Sequence, residues 1–369
     1  MDKVGLRIGI DGRCLSGKLT GIGRYVYELI RQLDKVLPDA KFYVYSPFEL
    51  SVQLPSDRWV SRIESNRLLA RYASGYAWLK FACGRLAATD ELDVFWAGRT
   101  LLPRLNDSVK TLVTVHDLNH ILAPGTMPFV NYCSHRIWFD DDVIRATKVV
   151  TNSRGTASKV EKLIGRHVDA VVTPCASPLF HRPSEDDIQK VLANYSIHAP
   201  YVLAVGTREP RKNILNLVKA FAILKKNPEF DDMQLVLAGG AGWKTRHVQN
   251  EIKRLGSIGL NELGYVSDEH LPGLYAGSEV FVFPSLYEGY GMPVLEARMC
   301  GARVVTTDTP ELREAGGGAT HYLSGTSPED IVAGIVSVLS TPGDSCISRE
   351  DRCDWADGAS VLGELLAAM

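Results

Sequence analysis

Short apolar, β-branched runs alternate with longer amphipathic stretches along the whole chain, the pattern of parallel strand–helix units. In the first half LRIGID (6–11), KFYVYS (41–46), DVFWAG (93–98), TLVTVHD (111–117), KVVTNS (148–153) and DAVVTPC (169–175) predict strands. In the second half YVLAVGT (201–207), QLVLAGG (234–240), NELGYV (261–266), VFVFPS (280–285) and ARVVTTD (302–308) do the same. Each set suffices for one doubly wound sheet, so the expected fold class is α/β with two such domains. Between the sets lies PCASPLFHRPSEDD (174–187), rich in Pro, Ser and charge and without an apolar period, which predicts the hinge. The domains are therefore expected at 1–180 and 181–350. The last segment, 351–369, is expected to be largely helical.

At 369 residues, two domains also match the usual domain size. A composition of 45% hydrophobic and 23% charged residues is that of a globular protein with real cores. No apolar run reaches the roughly 20 residues of a membrane span, and MDKVGLRIGID lacks the apolar centre of a signal peptide. A cytoplasmic location follows as the expectation. The seven cysteines are scattered and never form C-x-x-C, which predicts reduced thiols. The nine histidines show no ligand spacing, so no metal site is expected.

The net charge of −2 hides an asymmetry: residues 1–180 hold 24 Lys and Arg against 18 acids, a surplus of +6, whereas the remainder carries −8. A basic first half favours an anionic partner such as phosphate or a membrane surface.

In open parallel sheets ligands bind beyond the carboxyl ends of the strands, so the residues that follow each strand carry the most information. YEGYGMPVLEA (287–297) sets Glu288 and Glu296 on either side of a glycine turn that opens a helix at Pro293. Gly289 and Gly291 let the backbone approach a ligand, with Tyr290 between them. The N–H groups of Val294, Leu295 and Glu296 are expected to face a diphosphate. Carboxylates suit vicinal hydroxyls because both oxygens accept, so Glu296 fits a ribose diol and Glu288 the sugar at the other end of a nucleotide sugar. In VGTREPRKNILNL (205–217), Arg208, Arg211 and Lys212 stand where a departing diphosphate could be neutralised. Gly21 and Gly23 precede a helix, but Val26 at the third glycine position argues against a dinucleotide fingerprint and for a flexible loop. His116 and Asp117 end a strand, with His116 able to reach a sugar hydroxyl. The acidic triplet in FDDDV (139–143) falls within a predicted helix and is expected to be a solvated face.

Together these stretches resemble the retaining glycosyltransferases of family 4, which have the GT-B fold of two Rossmann-like domains. The similarity spans nearly the whole chain and is most specific in LGYVSDEHLPGLYAGSEVFVFPSLYEGYGMPVLEA, whose Glu288 and Glu296 match the family's E-x7-E motif. The resemblance implies that Glu288 contacts the donor sugar, Glu296 holds the ribose and Lys212 stabilises the leaving diphosphate. It places His116 near the transferred sugar, Gly21 and Gly23 by the phosphates and acceptor, and Tyr265 and Val266 against the base. Thr207 stands where many members have an arginine, leaving Arg208 or Arg211 to take over. The family's C-terminal helix returns to the first domain, which implies the same for residues after about 350.

The implied reaction is hexose transfer from a nucleoside diphosphate sugar, without a metal or other cofactor, to a glycan or polyprenyl-diphosphate-linked acceptor. Nucleic acid is not an expected partner. IGIDGRCLSGKLTGIGRYVYEL looks most like mannosyl- and rhamnosyltransferases of bacterial surface polysaccharides, which favours GDP-mannose over UDP-glucose or dTDP-rhamnose. An epimerase of the same fold and a non-catalytic nucleotide-sugar binder are the alternatives from other classes. In 66–86, Leu68, Leu69, Tyr72, Tyr76, Leu79 and Cys83 share one helical face and Arg67, Arg71 and Arg85 another. That pattern fits a packed helix, or a peripheral contact with an anionic membrane.

Overall fold

The computed structural model describes residues 5–64, 75–198, 200–240, 242, 246–256, 259–341 and 353–369. They form two compact units, one of Met1–Ile121, Phe129–Pro174 and Cys353–Met369, the other of Leu122–Pro128 and Cys175–Arg352.

The first unit is a parallel sheet of β1 (Arg7–Asp11), β2 (Lys41–Ser46), β3 (Trp59–Ile63), β4 (Val94–Ala97), β5 (Lys110–Val115), β6 (Lys148–Thr151) and β7 (Ala170–Val171). Their spatial order is β3-β2-β1-β4-β5-β6-β7, so the winding reverses between β1 and β4. The edge strand β3, WVSRI, is absent from the sequence expectation because Ser61 and Arg62 break its apolar run after two residues. It pairs on one side only and leaves Ser61 exposed, while Trp59 stacks on Phe42 of β2 with ring centroids 3.9 Å apart.

Gly21 and Gly23 do not form a flexible loop. They lie in the first turn of the helix Gly21–Val36, capped by the Thr20 hydroxyl, which accepts from the Gly23 amide. The final helix, Trp355–Ala367, packs against that helix, with Trp355 edge-on to Tyr25 at 5.6 Å.

The triplet 140–142 also differs from expectation. Asp141 is exposed, but Asp142 is buried, ion-paired to Lys80 and Arg145 and accepting from the Leu102 amide. A buried carboxylate needs such partners, and two of them, Lys80 and the Leu102 amide, come from segments far away in sequence. Of the 66–86 segment, residues 66–74 lie outside the described residues. Tyr76, Leu79 and Cys83 are core residues, and Arg85 is exposed. Two thiols depart from the reduced expectation, since Cys175 and Cys353 are disulfide-bonded.

The second unit is a parallel sheet of β8 (Tyr201–Val205), β9 (Gln234–Ala238), β10 (Leu260–Gly264), β11 (Val280–Phe283), β12 (Val304–Thr307) and β13 (His321–Leu323). The order β10-β9-β8-β11-β12-β13 reverses between β8 and β11. The three-residue edge strand β13 is too short to show a period in the sequence. Helices Ile214–Leu224 and Pro328–Ser340 cover one face with the core around Val202, Phe221 and Val282. Helices Glu185–Asn194, Leu271–Gly277 and Met292–Met299 cover the other around Leu203, Phe281 and Val294. Burial on both faces explains why these strands read as continuous apolar runs.

Among the described residues no helix is long and apolar enough to cross a membrane.

Candidate functional site

The reversal between β8 and β11 is where an open parallel sheet offers a crevice. Two loops meet there. The one after β8 runs through Gly206 to a short turn at Pro210–Lys212, and the one after β11 runs from Pro284 to the helix Met292–Met299. A backbone hydrogen bond from Leu286 to the Arg211 carbonyl, 2.8 Å, ties them together. The loop after β8 is seated close to β9: a Cβ on Gly239, whose φ is +141°, would lie 2.0 Å from the Gly206 oxygen. Glycine is required at that contact.

Four ionised side chains alternate in sign across the junction. Glu209 accepts from Arg211 Nη2 at 2.6 Å, Arg211 Nη1 donates to Glu288 Oε2 at 2.5 Å, and Lys212 Nζ donates to Glu288 Oε1 at 2.6 Å. Arg211 Nη1 also donates to the Tyr287 carbonyl at 2.8 Å, and the Lys212 ammonium sits 4.5 Å from the Phe283 ring centroid. All four are largely buried; the Glu288 side chain is 9% exposed and that of Lys212 12%.

Burial alone would push the Glu288 carboxyl up, but the charges of Arg211 and Lys212 outweigh it and hold the group at about 2. Glu288 is therefore ionised at any physiological pH. Burial pulls Lys212 below the usual lysine value, and Glu288 opposes that. Because the folded carboxyl titrates lower than the free one, its contribution to stability is complete above the ordinary value of 4.5 and is lost as pH falls toward about 2. The amount is roughly 3 kcal/mol at 1.36 kcal/mol per tenfold change in acidity. Urea unfolding of wild type and Glu288→Gln across that window should show a steeper acid loss in wild type; equal slopes would contradict this reading.

Arg208 and Arg211 fare differently. Arg208 is committed to an ion pair with Glu262 of β10, whereas Arg211 lies beside Lys212 on Glu288. Arg211 is thus the second cation of this cluster. Glu209, which orients it, was missed from the sequence: an acid two residues before an arginine looks like any solvated pair until the loop is buried.

The helix after β11 begins at Met292, one residue before the expected Pro293. Gly291 precedes it with φ +110°, and a Cβ there would lie 2.6 Å from Leu312 Cδ2. The N–H groups of Val294 and Leu295 do not face outward as expected; both bond the Gly291 carbonyl, at 2.9 and 3.3 Å, as in an ordinary first helical turn. Their side chains are in the core. Any amide contact with a phosphate therefore moves back to the turn containing Gly289, Tyr290 and Gly291. Glu296 is buried on the same helix and accepts from the Tyr275 hydroxyl at 3.3 Å. Beyond β10, Tyr265 is 58% exposed while Val266 is buried in the core.

In the first unit His116 follows β5. Its Nε2 lies 2.7 Å from the Gly98 carbonyl and its ring is edge-on to Tyr25 at 5.0 Å. Burial lowers its basicity, so the ring is neutral; Nε2 donates to Gly98, which leaves Nδ1 as an acceptor. Gly21 and Gly23 belong to the same unit, so the structure separates the predicted site residues into a cluster on each sheet.

Comparison with known proteins fits this architecture. The family model "Glycosyl transferases group 1" matches residues 189–356. The chain is 31% identical to O-antigen chain mannosyltransferase B of Escherichia coli over 318 residues, 82% of each sequence. It is 24% identical to O-antigen chain mannosyltransferase RfbU of Salmonella typhimurium, covering 69% of each. Among solved structures, Anabaena HepE in complex with UDP-glucose superposes with a TM-score of 0.69 at 17% identity, covering 98% of this chain and 96% of that one. WaaG, a glycosyltransferase involved in lipopolysaccharide biosynthesis, also superposes with a TM-score of 0.69, at 15% identity, covering 97% and 95%.

Proposed function

Since this chain belongs to the glycosyl transferases group 1 family, as a hexosyltransferase of polysaccharide biosynthesis with the GT-B fold, we propose that it moves mannose from GDP-mannose to a glycan acceptor with retention at the anomeric carbon. The choice of mannose rests on the O-antigen mannosyltransferases to which the chain is similar. The observation that carries the mechanism is the pairing of Glu288 with both Lys212 and Arg211 at the reversal of the second sheet.

Glu288 offers an ionised, acceptor-only group to the donor-sugar hydroxyls, and Glu296 does the same for the ribose. Lys212 changes partners. In the structure its ammonium rests on Glu288; when a diphosphate enters, the same ammonium neutralises the charge that grows as the glycosidic bond breaks. Arg211 stays on Glu288, held from behind by Glu209, so the carboxylate remains ionised and oriented throughout. The reaction is expected to need no metal ion, with lysine and the turn amides carrying the leaving-group charge. His116, neutral and with an acceptor nitrogen, suits a hydroxyl of the transferred sugar. Tyr265, exposed at the end of β10, suits stacking on the base. The acceptor is a glycan, free or carried on a polyprenyl diphosphate, and the enzyme works at the inner membrane face as a peripheral protein.

Thermal stabilisation by nucleotides tests the donor. GDP and GDP-mannose should raise the melting temperature at concentrations where UDP, dTDP and their sugars do not. Ligand at 100 times its Kd should add about 2.7 kcal/mol of stability. Selective stabilisation by UDP or dTDP would transfer the assignment to a different donor.

A further inference from the structure

The first sheet has its own reversal, between β1 and β4, and one cation there has no ion-pair partner among the described residues. Arg13, after β1, is fully engaged: its Nε and Nη2 donate to the two oxygens of buried Asp11 at 2.9 and 2.7 Å, and its Nη1 donates to the Gly75 carbonyl. Arg99, after β4, is half-buried, and among the described residues its guanidinium has neither a hydrogen bond nor an ion pair. The two guanidinium carbons lie 5.6 and 5.8 Å from the Tyr76 ring centroid.

From Tyr76 the cluster continues through His135, edge-on at 5.7 Å, to His120, 5.8 Å further. Burial keeps both imidazoles neutral, so they add no positive charge of their own. His120 Nε2 bonds Asp140 at 3.3 Å, while its Nδ1 is buried without a partner. The one other acid acting on these rings, Asp117, accepts from the Asn119 amide and is not ion-paired to Arg99. A half-buried guanidinium with unused donors costs free energy unless a ligand supplies acceptors. Beside it stands the Tyr76 ring, and two ring contacts further along lies an unused imidazole nitrogen that can accept from a hydroxyl.

We propose that Arg99, together with Tyr76, His135 and His120, recognises an anionic group, phosphate or carboxylate, carried by the acceptor saccharide. This rests on the transferase reading above and assigns the acceptor's charge. Guanidinium suits such a group because its planar fork binds two oxygens at once.

Three synthetic acceptors test it: mannobiose on undecyl diphosphate, undecyl mannobioside carrying a sugar 6-phosphate, and the uncharged undecyl mannobioside. Wild type should prefer at least one charged acceptor over the uncharged one by about tenfold or more in kcat/KM, the scale of one charge-assisted hydrogen bond. Arg99→Gln should abolish that preference through KM, leaving kcat and acceptor-free hydrolysis of GDP-mannose unchanged. Arg99→Lys should keep part of it. A preference for the diphosphate locates the charge in the lipid link, and one for the 6-phosphate locates it in the glycan. Equal use of charged and neutral acceptors by wild type, or an undiminished preference in Arg99→Gln, overturns the proposal. A protein that neither hydrolyses nor transfers from any nucleotide sugar overturns the transferase reading instead.

Discussion

Lys212→Ala should lower mannosyl transfer by roughly 10²–10³-fold, the usual cost of removing one preorganised group aimed at charge that develops in the transition state. The loss should appear in kcat more than in KM for the donor, because growing leaving-group charge is what the ammonium meets. Glu288 keeps Arg211 in this variant, at the 2.5 Å contact of the wild type, so the carboxylate stays paired and the fold should survive. Near-normal donor affinity by titration with a collapsed rate would separate a chemical role from a binding one. Turnover close to wild type would remove Lys212 from the mechanism.

Glu288→Gln should be more damaging still. It preserves shape but removes the negative charge from a carboxylate that is ionised at all working pH values, leaving two buried cations with less compensation. Breaking a buried ion pair from one side typically costs about 3–5 kcal/mol. Here the penalty is shared, because Arg211 retains Glu209 and the Tyr287 carbonyl. We expect a folded protein with a lower melting temperature and transfer reduced by roughly 10³-fold or more. Glu288→Asp, which keeps the charge but shortens the reach, should recover the melting temperature better than the rate. A Glu288→Gln enzyme with substantial turnover would show that the carboxylate serves packing alone.

Much of this site was legible in the sequence, for a physical reason. Parallel strands buried on both faces are apolar runs with sharp ends, and the chemistry of an open sheet collects at those ends. Thus Glu288 and Lys212 could be picked out before any fold was known, and VFVFPS and YVLAVGT located the loops that bring them together. What escaped notice depended on partners remote in sequence. The edge strands WVSRI and HYL lack the double burial that makes a strand conspicuous. Asp142 looked like part of a solvated acidic run until Lys80 and the Leu102 amide were found against it. Arg208 and Arg211 could not be told apart until Glu262 was seen to occupy the first. The outward-facing amides at Val294 and Leu295 failed because helix geometry assigns them to the Gly291 carbonyl.

The two clusters divide the work along the chain. Glu209, Arg211, Lys212 and Glu288 come from loops of the second sheet and form a charge-balanced set that a donor diphosphate can rearrange. His116 and Arg99 follow adjacent strands of the first sheet, β5 and β4, and on the proposals above they meet a sugar hydroxyl and an acceptor anion.

Retaining mannosyl transfer at this site fixes the anomeric configuration of the product. GDP-mannose, whose mannose is α-linked, is incubated with the purified protein and an undecyl mannobioside, charged or neutral, and the isolated trisaccharide is read by the one-bond carbon–hydrogen coupling at its new anomeric centre. The expected product carries a single added mannose in the α configuration, formed by wild type and nearly absent with Lys212→Ala and Glu288→Gln. A β-linked product, or equal yields from all three proteins, would contradict it.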